Sequence, residues 1–163
     1  MDQEMMIALG KVGAYCAVAF SAIGSGLGAG TAGTSAVGAW KKCYVQKRQA
    51  PFQLAVFAGA PLSQTIYGLI LMILINNKID AGGAAYWPTF LAVGIVGGIA
   101  MGVSAWFQGI AAAGSCDAFG ETEKGFTNDL MILGIVETVA LFTMVFGIVM
   151  LNSIKIAAPV VAN

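Results

Sequence analysis

Four long apolar runs occupy most of this 163-residue chain, at roughly 7–40, 52–76, 86–116 and 126–154. A helix rising 1.5 Å per residue needs about 20 apolar residues to cross about 30 Å of hydrocarbon, and every run meets that length. The breaks between them read KKCYVQKRQAP, NNKIDAGGAA and DAFGETEKG. The pattern predicts an all-α membrane protein of four transmembrane helices. The first and third runs are long for simple spans and are expected to project beyond the bilayer.

Composition agrees. Residues are 58% hydrophobic and 10% charged, where a soluble domain carries about 25% charged residues. Eight basic residues balance eight acidic ones, so no electrostatic footprint for nucleic acid exists. The absence of histidine excludes a His-based triad. Cys16, Cys43 and Cys116 show no CxxC spacing and read as small apolar fillers rather than disulfide or zinc ligands. The start, MDQEMM, has Asp2 and Glu4 where a signal peptide needs positive charge, so no cleaved targeting segment is expected. Lys41, Lys42, Lys47, Arg48 and Lys124 fall on one side, against Lys11, Lys78 and Lys155 on the other. This excess predicts cytoplasmic first and third breaks, with both termini outside.

The two halves resemble each other. Gly24 and Gly28 align with Gly98 and Gly102, and Ser63–Gln64–Thr65 aligns with Val136–Glu137–Thr138. The chain therefore reads as a duplicated antiparallel helical hairpin within one membrane domain. The first hairpin covers 1–79, with helices at about 7–40 and 52–76. The second covers 84–163, with helices at about 86–116 and 126–154. Gly24, Gly26, Gly28 and Gly30 form two stripes of spacing four, and Gly98 and Gly102 repeat the feature. Small residues at that spacing let helix backbones approach closely in a membrane, and crowding around a ring axis is one use for them. A phosphate loop is disfavoured, because no GxxxxGK[ST] follows.

Glu137 is the one acidic residue between Leu130 and Leu151. Inserting an ionised carboxylate at mid-membrane costs roughly 2.5 to 3.5 kcal/mol, so such a group marks function. Other polar side chains share its depth, roughly 12 to 18 Å from the cytoplasmic edge at 1.5 Å per residue: Ser63, Gln64 and Tyr67, then Gln108. Thr138 adjoins the acid. Pro61 removes a helical N–H, which is expected to free the Phe57 carbonyl and bend the second helix. Two amides, a hydroxyl, a carboxylate and a loosened carbonyl suit a hard cation. The plainer alternatives are hydroxyls bonded to their own backbone and glutamines acting as interhelical glue. Gln64 stands where the duplication would place a second acid, which leaves one carboxylate per four helices.

With APLSQTIYG (60–68), FQGIAAAG (107–114) and VETVA (136–140), the chain resembles the proteolipid (K or c) subunit of V-type rotary ATPases, especially the bacterial sodium-translocating branch. The resemblance covers nearly the whole chain. It implies that Na+ is bound by Glu137, Gln108, Gln64, the Ser63 hydroxyl and the Ala60 backbone carbonyl, with H+ as the alternative cargo. Tyr67 would lock the carboxylate, and Pro61 and Thr138 would support it. Ser63 stands where threonine is expected, and Ala60 where a larger apolar residue is expected; both keep the needed oxygen. The resemblance further implies a homo-oligomeric rotor ring in a bacterial cell membrane. Its partners would be a stator membrane subunit with a basic residue and a central stalk subunit on the cytoplasmic side, and the rotor would not itself hydrolyse ATP. A proton-coupled multidrug exporter is the rival, although its acid is typically in the first helix. A structural tetraspan protein would leave Glu137 unexplained.

Overall fold

The computed structural model describes residues 1–156. Its α-helices are α1 (Gln3–Val45), α2 (Gln53–Gly59), α3 (Ser63–Asp80), α4 (Trp87–Thr122) and α5 (Phe126–Ser153). A 3₁₀ turn, Ala60–Leu62, joins α2 to α3 into one rod, and a second, Gly83–Tyr86, leads into α4. Among the described residues, four helical rods are long and apolar enough to cross a membrane, as the apolar runs predict. The second hairpin's expected limit at 163 lies outside the described residues.

The helices outrun the apolar runs at their ends. α1 spans 43 residues and α4 spans 36. Lysine and glutamate are good helix formers, so leaving the apolar stretch does not end a helix. The Asp2 carboxylate caps the start of α1, accepting from the Met5 N–H at 2.8 Å. Gly82 and Gly125 make the turns, with φ of +95° and +88°, conformations that cost a residue with a Cβ. At the end carrying the basic loop, Lys42 pairs with Glu121, and Arg48 reaches Glu123 at 3.2 Å and the Gly120 carbonyl at 3.1 Å.

α1 and α4 run parallel and nearly in register, in backbone contact along most of their length. A Cβ on Gly24 would strike Gly102, one on Gly28 would strike Ala105, and one on Gly109 would strike Gly28. Gly98 and Gly102 lie against the carbonyls of Cys16 and Phe20. With so little side-chain volume between them, dispersion contacts and the lost lipid surface hold this pair together. Gly26 and Gly30, expected to pack likewise, have no neighbour within 4 Å among the described residues. The reason is angular. Two residues advance a helix about 200°, which turns the alternate glycines to the opposite face.

Two apolar clusters stack along the bundle. One contains Ala17, Leu71, Met101 and Ala140, and the other Ala32, Phe57, Ala112 and Leu133. A polar layer separates them. Gln64 falls between Phe57 and Leu71, Gln108 between Met101 and Ala112, and Glu137 between Leu133 and Ala140. α5 is the least enclosed helix: Leu133, Ala140 and Leu151 are buried, while Ile135, Val139, Phe142 and Phe146 stand exposed.

Candidate functional site

The polar layer is a connected network. Tyr67 Oη donates to Glu137 Oε1 at 2.5 Å, and Gln108 Nε2 donates to Glu137 Oε2 at 3.3 Å. Gln108 Nε2 also donates to the Leu133 carbonyl at 3.0 Å, and Gln108 Oε1 accepts from Gln64 Nε2 at 2.7 Å. Ser63 Oγ lies 3.2 Å from both Gln64 Oε1 and the Ala60 carbonyl, with one proton to share between them. Gln64 and Gln108 are fully buried. Glu137 is partly buried, at the exposed edge of α5.

Three rods therefore converge on one carboxylate. The 3₁₀ turn and α3 supply Ala60, Ser63, Gln64 and Tyr67; α4 supplies Gln108; α5 supplies Glu137. Ser63, Gln64 and Tyr67 share one helical face through their three- and four-residue spacings. Pro61 sets where that face begins. Its missing N–H breaks the α-helical ladder, and the rod answers with a 3₁₀ turn. The Phe57 carbonyl does not stay free, however. The Ala60 N–H takes it in the tighter i→i+3 pattern, and the Ala60 carbonyl in turn accepts from Ser63. The Ala60 carbonyl lies at the edge of the network, where it accepts from both the backbone N–H and the hydroxyl of Ser63.

Of the other expected residues, Thr138 stands apart. It is exposed, and its hydroxyl donates to the Ile135 carbonyl of its own helix at 2.6 Å, the ordinary use of threonine in a span. Pro61 is buried against Gly28 and so also serves helix packing. Ser104 joins the site without having been expected from the sequence. Its hydroxyl donates to the Val136 carbonyl at 2.9 Å, across the α4–α5 interface and next to Glu137. The signal was present, because Ser104 lies one turn before Gln108 and faces the same way.

The donor set is all oxygen on the acceptor side: one carboxylate, two amide oxygens, a hydroxyl and a carbonyl. Oxygen ligands select hard cations, and a single negative charge neutralises a monovalent one. Both carboxylate oxygens accept hydrogen bonds from neutral donors, the Tyr67 hydroxyl and the Gln108 amide.

Fold and site together define a helical membrane protein built around one intramembrane carboxylate. Residues 91–150 match the family model that describes the C subunit of ATP synthase. Over 144 residues the chain is 35% identical to the A-type ATP synthase subunit K of Methanocaldococcus jannaschii. That match takes in 88% of this chain and 61% of the relative, so the chain spans less than two thirds of that protein's length. The chain belongs to the proteolipid family of V/A-type rotary ATPases, and it is an integral membrane protein.

Proposed function

We propose that this chain is the ion-carrying rotor subunit of a V/A-type rotary ATPase, binding Na+ at Glu137. The observation that carries the reading is the gathering of Glu137, Gln108, Gln64 and Ser63 from three spans into one layer between two apolar clusters. Ala60 contributes its backbone carbonyl, and Tyr67 holds the carboxylate by its hydroxyl. Identical copies form a ring, each made of two related hairpins, with the termini outside and the basic loop facing a central stalk in the cytoplasm. The chain carries ions and leaves ATP hydrolysis to other members of the complex.

The electrostatics describe the cycle. A bare carboxylate resists exposure to lipid, and a bound monovalent cation cancels its charge. Once loaded, the protomer is free to turn through the bilayer. A basic group on a stator subunit offers the carboxylate a competing partner, and the cation departs there. A protomer with an empty, ionised site is held at the stator until it reloads, which gives the rotation its coupling.

Proton carriage is the second reading. Its support is the 2.5 Å contact between Tyr67 and Glu137, because a neutral carboxyl and a phenol can satisfy one another without further ligands. Labelling of Glu137 by a carbodiimide in native membranes, at fixed pH and graded NaCl, separates the two. Sodium carriage predicts protection that saturates with NaCl. Labelling that responds to pH and not to sodium would replace it with proton carriage.

A further inference from the structure

Ser25 on α1 is 2% exposed, and its hydroxyl has no hydrogen-bond partner among the described residues. Serine within a helix commonly bonds the carbonyl four residues back, as Ser21 does to Ala17 at 2.7 Å. An unpaired buried hydroxyl is costly, so its position calls for a reason.

The register between α1 and α3 supplies that position. The helices are antiparallel, and glycine contacts pair Gly10 with Ile79, Ser21 with Gly68, and Gly28 with Pro61. Each pair of residue numbers totals 89. Ser25 continues the Ser21–Gly28 stripe at helical spacing and falls opposite residue 64, which is Gln64. The layering agrees, because Ser25 lies between Ala17 of one apolar cluster and Ala32 of the other, at the level of the polar network.

The chemistry of Gln64 shows what this hydroxyl is for. Gln64 Nε2 now donates to Gln108 Oε1, so one amide occupies the oxygen that the other would offer a cation. Both amide oxygens can serve a cation once that bond opens, and the released NH₂ group then needs a buried acceptor. Ser25 Oγ is a free acceptor at the right level. We propose that Ser25 is a positioning residue for Gln64: its hydroxyl receives the Gln64 amide N–H when Na+ loads, which holds the Gln64 oxygen toward the ion. This deepens the sodium reading and rests on it.

The test uses the full chain in its native membrane assembly, with NaCl as the probe and carbodiimide labelling of Glu137 as the readout. Ser25→Ala should label at the wild-type rate without sodium. It should need about fivefold more NaCl for half-protection, the effect of losing one buried hydrogen bond. Sodium-free thermal stability should stay equal or rise, because the hydroxyl removed has no partner there, while the upward shift in Tm caused by sodium should shrink. Ser21→Ala removes a hydroxyl already spent on its own backbone one turn away and should leave the half-protection concentration unchanged. Ser25→Gly gives the same reading if the alanine variant assembles poorly. The proposal is overturned if Ser25→Ala keeps wild-type protection, or if Ser21→Ala weakens protection as much. Absence of sodium protection in the unaltered protein would instead remove the sodium reading itself, so the two failures are distinguishable.

Discussion

The α1–α4 pair and the α4–α5 pair solve helix association in opposite ways. α1 and α4 meet backbone to backbone through Gly24, Gly28, Gly102 and Gly109, with ion pairs closing one end. α5 rests on α4 through side chains, with Leu133, Ala140 and Leu151 buried and with hydrogen bonds from Ser104 and Gln108 to the carbonyls of Val136 and Leu133. Those two bonds grip α5 on the turn that leads to Glu137. The first interface tolerates no added volume, whereas the second depends on a few polar contacts at one level. The carboxylate proposed to exchange ions sits on the second kind, where a cation would compete with hydrogen bonds rather than with close packing.

The contrast can be broken most severely at the glycines. Gly24→Leu should force α1 from α4 and destabilise the chain by about 3 kcal/mol or more, read as lost yield and a lowered unfolding midpoint in detergent. Gly26→Leu, on the open face, should leave the unfolding of the isolated chain near wild type; equal damage from both would erase the distinction between the two faces. Gln108→Ala comes next. It strips partners from Gln64, Leu133 and Glu137 together and should weaken sodium binding by about 3 kcal/mol, on the order of 100-fold, with assembly much less affected. Unchanged affinity in a sodium-protection assay would remove Gln108 from the ligand set.

Ser104→Ala tests the grip on α5 more gently. One lost hydrogen bond predicts about 1 kcal/mol, roughly a fivefold weaker sodium affinity, with faster amide exchange confined to the α5 turn around Val136. A uniform change along α5 would mean that Ser104 serves general packing. Thr138→Val should sit at the bottom of the scale, within about 0.5 kcal/mol of wild type, because the hydroxyl it loses serves its own backbone.

The number of spans, the close-packing glycine stripes of the first and third, and the shared depth of Gln64, Gln108 and Glu137 were all legible in the sequence. Each follows from local quantities: apolar length, residue size and counting along a helix. Thr138 and Ser104 show the limit. Both are polar residues in spans close to the acid, and helical rotation turns one outward and the other into the α4–α5 interface. Gly26 and Gly30 mark the same limit, since spacing reveals two small-residue stripes but not which stripe meets a neighbour.

The sequence by itself determined a four-span membrane protein with one costly carboxylate at mid-depth, because desolvation and hydrocarbon thickness act on any chain regardless of partners. Only the tertiary structure decided which oxygens surround that carboxylate. Those depend on the rotation of each helix about its axis and on the register between helices, down to the placement of Ser25 opposite Gln64. Neither quantity is written in any single segment. Both emerge when glycine contacts fix how closely, and at what offset, the rods can lie.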